Sequence, residues 1–164
     1  FVAEYSADGR WMIRNISASE IDSVFEIMKE NMISYYSSRN ESWNEENIRS
    51  YFMSKEGILM KKNDQLIAFS FYEIIDDRIH IHTMQVAPNH QNRTIGGKFF
   101  KWYKALASKI GAMQLTCGVY DINRAYKMYI KLGFKEEGIR RASGYWKNEF
   151  HDLKCFGLLK PDFE

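Results

Sequence analysis

The stretch from Arg78 to Gly111 constrains the fold more than any other part of the chain. Arg78–Val86 alternates like a strand and stops before Pro88, which fixes φ and cannot donate to a ladder. After a short polar loop, Gly96-Gly97 opens the most regular helical pattern in the sequence. Phe99, Phe100, Tyr103, Leu106, Ala107 and Ile110 then fall at the spacing of one buried stripe. Gly111 is placed to end that helix in a left-handed cap, and Gln114–Tyr120 reads as the next strand.

The remaining elements flank this strand–helix–strand unit with antiparallel hairpins. Trp11–Ile16 reads as a first strand, and Ser17-Ala18-Ser19-Glu20 as a capping box for a helix with Ile21, Val24, Phe25, Met28 and Met32 on one face. A shorter helix spans roughly Glu46–Lys55, with Ile48, Tyr51 and Phe52 inward. Gly57–Lys61, Leu66–Ile75 and Arg78–Val86 form a meander around Asn63-Asp64 and Asp76-Asp77. Asn123–Leu132 is a helix stopped by Gly133, and two final strands, about Lys135–Trp146 and Phe150–Leu159, pair around Asn148-Glu149. The expected class is mixed α+β, with a mostly antiparallel twisted sheet of about seven strands and four helices. No repeat or linker divides the chain, so residues 1–164 are expected to form a single domain.

Composition excludes several classes. A net charge of +2 gives no case for nucleic acid, and no apolar run reaches the ~18 residues of a membrane span. Cys117 and Cys155 lie far apart in apolar strands and read as buried free thiols, and no metal-ligand cluster is seen. No signal peptide is visible, so a cytoplasmic location is expected. The chain opens on Phe1 rather than Met, which is compatible with a missing upstream piece.

The segment His80–Gly97 carries the chemistry. A loop entering a helix offers unpaired backbone N–H groups and the positive end of the helix dipole, which suits an anion such as phosphate. Gly96 and Gly97 allow close approach of a ligand, and Arg93 and Lys98 add positive charge. Paired glycines at a helix start also serve plain helix–strand packing.

Val86-Ala87-Pro88-Asn89-His90-Gln91-Asn92-Arg93-Thr94-Ile95-Gly96-Gly97 resembles the acetyl-coenzyme A signature of the Gcn5-related N-acetyltransferase superfamily, Gln/Arg-x-x-Gly-x-Gly/Ala. Gln91 and Gly96 match it; Thr94 replaces its first glycine, a β-branched residue that is strained if the position needs φ > 0. Ala125-x-x-x-Tyr129-x-x-x-Gly133-Phe134 is similar to a second signature of the same superfamily, and the tail resembles its protein N-terminal and small-amine branch. In that family an asparagine lies one position earlier than Asn123 does here.

The resemblance implies acetyl-CoA as co-substrate, a primary amine as acceptor and direct attack in a ternary complex, without metal. It implies that the main chain of Met84, Gln85 and Val86 pairs with the pantetheine arm. Gln91, Asn92, Arg93, Thr94, Ile95, Gly96 and Gly97 would hold the pyrophosphate. Tyr129 stands at the general-acid position, though on helix spacing alone it reads as a core tyrosine. His80 stands where histone acetyltransferases of the superfamily carry a carboxylate. His82, two residues on, faces the same side of the strand, and Glu73 is a carboxylate alternative. Acceptor choice would come from the loop with Tyr35, Tyr36, Glu41, Trp43, Glu45 and Glu46, where carboxylates beside rings suit a cation or simply form a solvated cap. Homodimers are frequent in the superfamily. A non-catalytic module of the same fold, binding acyl-CoA or a protein, is the alternative.

Overall fold

The computed structural model describes residues 4–38, 42–91, 93–120, 123, 125–146 and 148–163. Its strands are β1 (Glu4–Tyr5), β2 (Trp11–Asn15), β3 (Glu56–Lys62), β4 (Gln65–Ile75), β5 (Arg78–Val86), β6 (Gln114–Tyr120), β7 (Lys135–Trp146) and β8 (Glu149–Leu159). Its helices are α1 (Ile21–Ser38), α2 (Glu45–Met53), α3 (Arg93–Ile110), α4 (Tyr126–Lys131) and α5 (Lys160–Phe163). The strands form one sheet in the order β1-β2-β3-β4-β5-β6-β8-β7. Only β5 and β6 run parallel; every other neighbouring pair is antiparallel. The seven expected strands and four helices are present, with the two-residue β1 added at one edge and the single-turn α5 after β8.

The turns follow from residue type. Asn63, Asp64, Asp76 and Asn148 have positive φ, which short polar side chains tolerate, and they link the hairpins. Gly111 (φ 72°) and Gly133 (φ 98°) close α3 and α4 in the left-handed region. The Glu20 side chain reaches back to the Ser17 N–H at 3.0 Å, but the residues it caps form a 3-10 turn (Ala18–Glu20) that leads into α1. The same carboxylate takes two bonds from Arg14, at 2.8 and 2.6 Å, and one ion pair from Lys61 at 2.8 Å, joining β2 and β3 to the start of α1.

Helices cover both faces of the sheet. On one, Phe99, Trp102, Tyr103 and Leu106 of α3 and Tyr129 of α4 pack with Ile58, Ala68, Tyr72, Ile79 and Ile81. On the other, Val24, Phe25 and Met28 of α1 and Ile48 of α2 pack with Leu59, Phe69 and Phe71. β4 therefore alternates between two cores, which explains its continuous apolar run.

Four expectations need correction. α3 starts at Arg93, not Gly96, because the Pro88–His90 turn delivers the chain to the helix axis three residues sooner. α4 starts at Tyr126, not Asn123, because Asn123 Oδ1 accepts the Ala125 N–H at 2.9 Å and holds a turn there. Ile110 is 43% exposed, at the end of α3, while Trp102 is fully buried in its place. Tyr51 is 51% exposed: Ile48 and Phe52, four apart, carry the inward face of α2, and Tyr51 lies on its flank.

Candidate active site

The site begins with a break in the sheet. β5 and β6 pair through Arg78↔Gln114, Ile79↔Leu115, His80↔Thr116 and Ile81↔Cys117, and beyond these they part. β6 stays paired to β8 through Tyr120, and β5 stays paired to β4 through Val86, so a gap opens inside the sheet.

A bulge in β5 sits at the apex of this gap. Tyr72 opposes Ile81 and Phe71 opposes Thr83, leaving His82 as the extra residue. The insertion shifts the side-chain alternation by one. Ile79 and Ile81 before it, and Met84 and Val86 after it, all pack toward α3. The main chain alternates too. The Ala87 N–H donates to the Ile67 carbonyl at 2.8 Å, which places Val86 and Met84 at the non-bonded positions of the β4 ladder. Their N–H groups face the gap, whereas the main chain of Gln85 faces β4. The Gln85 side chain is buried, bonded to Thr83 at 3.1 Å and to Asn31 at 3.3 Å. The Val86 carbonyl accepts from Asn31 at 3.0 Å and from Gln91 at 3.4 Å, so α1 and the loop pin the end of β5.

The N-terminus of α3 stands at the open end. The first four N–H groups of the helix, those of Arg93, Thr94, Ile95 and Gly96, have no acceptor within it. Thr94 has a negative φ and lies within the first turn, so the β-branched residue is unstrained there. Gly96 is buried, and a Cβ on it would stand 2.8 Å from Met128 Sδ; Gly97 has nothing within 4 Å of that position. Gly96 therefore admits α4 against α3, and Gly97 leaves space open beside the mouth. Asn92 lies outside the described residues, as does Glu41 of the first loop.

The candidate proton-transfer groups approach the apex from opposite faces. On the α3 side, Tyr129 is 5% exposed, edge-on to Phe134 at 5.5 Å and stacked on Phe156 at 6.4 Å. No hydrogen bond joins its hydroxyl to a described residue, so it does not serve as a backbone cap. Burial pushes its phenol far up, with Cys117 adding to the shift.

On the α1 and α2 side, the His80 and His82 rings meet edge-on at 4.8 Å, as their spacing predicts. His80 Nδ1 bonds Thr116 at 2.8 Å, and burial, then His82 and Arg78, hold its pKa down to about 4. His82 Nε2 bonds Glu73 at 3.0 Å, its Nδ1 meets the Tyr51 hydroxyl at 3.1 Å, and Glu73 also pairs with Lys55 at 2.9 Å. The Lys55 ammonium, then His82, keeps the Glu73 carboxyl below its ordinary value. All three residues considered as bases thus form one cluster.

The His80 shift has a consequence for stability. The unfolded chain protonates this ring near pH 6.5 and the folded chain only near 4, so acid favours unfolding across that interval. The melting temperature is expected to fall as pH drops from 6.5 to 4. His80→Gln should flatten that leg, and an unchanged slope in the variant would show that His80 is not the group responsible.

Beside Tyr51 lies a cavity of about 330 Å³ lined by Tyr36, Asn44, Asn47, Ile48, Tyr51 and Phe52. Trp43 packs edge-on to Tyr36 at 5.4 Å, and its Nε1 is buried with no partner among the described residues. Glu45 is engaged by Arg49 at 3.2 Å, so the lining offers rings and amides in place of free carboxylates.

Residues 22–134 match the model of the acetyltransferase (GNAT) family. The chain belongs to that family. Among solved structures, this GNAT chain is similar to the ribosomal-protein-S18-alanine N-acetyltransferase from Escherichia coli, with 19% identity, 91% of this chain and 93% of that one covered, and a TM-score of 0.73. It is similar to the spermidine N-acetyltransferase from Vibrio cholerae in complex with CoA and spermine, at 14% identity, 94% and 98% coverage and a TM-score of 0.75. An N-acetyltransferase from Staphylococcus aureus Mu50 superposes with a TM-score of 0.74 over 94% of this chain and 99% of that one, at 17% identity. These likenesses establish the GNAT fold. No curated protein sequence matches. Among the described residues, no helix is long and apolar enough to cross a membrane.

The sequence pattern missed four members of this candidate site: Asn31, Tyr51, Lys55 and Thr116. Asn31 reaches its partners across more than fifty residues, and Thr116 reaches His80 across thirty-six. Tyr51 alone carried a signal, as a second ring on a helix whose inward face is already filled by Ile48 and Phe52.

Proposed function

We propose that this chain transfers an acetyl group from acetyl-CoA to a primary amine, with both substrates bound together. The observation that carries the reading is the gap between β5 and β6. Its open end meets the first turn of α3, where the leading N–H groups find no acceptor within the helix; its wall presents the N–H groups of Met84 and Val86, and its apex lies between Tyr129 and the histidines. An amide-bearing arm of the width of a strand fits that gap as an added strand, and a diphosphate fits the helix mouth. When bound, acetyl-CoA supplies an activated acyl carbon and a thiol leaving group.

The residues divide the remaining work. Gln91, Thr94 and the main chain from Arg93 to Gly96 hold the diphosphate, while Met84 and Val86 align the arm. Burial keeps the Tyr129 proton on its oxygen until a thiolate forms beside it to take it. On the opposite face, a protonated amine must lose a proton before its lone pair can attack. His80, neutral above about pH 4, is a weak acceptor; His82, backed by Glu73, is the better placed one. The acceptor belongs to the class of single amines, small or at a protein N-terminus, and one catalytic domain spans the 164 residues.

Purified protein, acetyl-CoA and a panel of spermidine, an aminoglycoside and peptides with free N-termini test this reading through thiol release. Release that requires an amine supports it. A coenzyme A-induced rise in melting temperature with no release from any amine would replace it with a non-catalytic acyl-CoA-binding module.

A further inference from the structure

We infer that Tyr51 is the group an incoming amine meets first, and that it relays the amine's proton to His82. The inference rests on the acetyl-transfer reading and adds to it a residue and a route.

The route is set by donors and acceptors. The Glu73 carboxylate is ionised beside Lys55 and can only accept, so the proton of neutral His82 sits on Nε2. Nδ1 then carries a lone pair and accepts from the Tyr51 hydroxyl at 3.1 Å. The imidazole is thereby closed to direct contact with an amine at both nitrogens, and the Tyr51 oxygen is its link to solvent. Tyr51 is half-exposed, whereas His82 is mostly covered. The tyrosine also lines the 330 Å³ cavity, so an acceptor whose apolar or amide-bearing part sits there brings its nitrogen to the hydroxyl.

In the relay, one proton leaves the ammonium nitrogen for the Tyr51 oxygen. The proton already on that oxygen passes to His82 Nδ1, and the amine keeps the lone pair that attacks the thioester carbon. The positive charge ends on an imidazolium bonded to Glu73. Other groups facing His82 suit this arrangement: His80 is held neutral, Thr116 bonds His80, and the positive charge of Lys55 is balanced by Glu73. Arg78 lies on the same strand and adds no proton acceptor. Lys55 Nζ also stands 5.1 Å from the centre of the Tyr51 ring and fixes its plane.

The test is Tyr51→Phe, which keeps the ring and removes the hydroxyl. Nitrogen NMR of the ligand-free protein should place the His82 proton on Nε2, with the Nδ1 signal moving in the variant. With the best amine of the panel, kcat at pH 7 should fall about 100-fold, the low end of what acid–base catalysis contributes. KM for acetyl-CoA should stay unchanged. The deficit should shrink as pH rises toward the pKa of the amine, because the amine then arrives neutral. A wild-type enzyme that turns over alongside an equally fast Tyr51→Phe variant overturns the relay alone, as does an Nδ1 that carries the proton. No turnover by the wild-type protein overturns the acetyl-transfer reading beneath it, and the relay with it.

Discussion

Replacing Tyr129 by phenylalanine is expected to lower turnover by about 10²-fold or more while leaving acetyl-CoA affinity unchanged. The size follows from losing a positioned acid, for which 10²–10⁴ is typical. Affinity is spared because the hydroxyl has no hydrogen bond to a described residue and the ring keeps its packing on Phe134 and Phe156. The fold should tolerate the change for the same reason. A kcat loss that follows the pKa of the leaving thiol, tested with acyl-CoA analogues of altered thiol acidity, marks protonation of sulfur. Turnover equal to wild type would return Tyr129 to the role of a core side chain.

Thr94→Glu is expected to weaken coenzyme A binding by about 100-fold. Thr94 is exposed in the first turn of α3, where the N–H groups converge. A carboxylate about 5 Å from a phosphate costs roughly 3 kcal/mol at an effective dielectric near 20, about two orders of magnitude in affinity. It also competes for the N–H donors themselves. The free protein should melt no lower, since an acidic residue in a first helical turn gains about 0.3–1 kcal/mol from the dipole. Calorimetric titration with coenzyme A, paired with melting of the free protein, separates the two effects. Undiminished affinity in a folded variant would place the diphosphate elsewhere.

The fold was legible because its elements keep their periods over long runs. The β4–β5 hairpin and α3 are set by alternation, by turn residues that accept positive φ and by Gly111. β1 has two residues and offers no period to read. The helix starts at Arg93 and Tyr126 escaped because each depends on a turn, at Pro88–His90 and at Asn123, whose end is fixed by hydrogen bonds rather than residue type.

The proposed cofactor end rests on a different kind of signal: main-chain N–H groups bind whatever their side chains, so a motif can point to them. The meaning of Thr94 depended on a dihedral angle, which the residue alone does not carry. The acceptor end was largely hidden. The bulge at His82 has neither glycine nor proline to announce it, and the contacts of Glu73, Lys55 and Tyr51 join three separate elements.

Among the described residues, the ladder between the two halves of the sheet consists of four residue pairs of β5 and β6. On the proposed reading, an arm lodged above them and bonded to Met84 would act as a splint across a seam. Cofactor binding and folding stability would then be linked, and a substitution that loosens the seam is expected to weaken both.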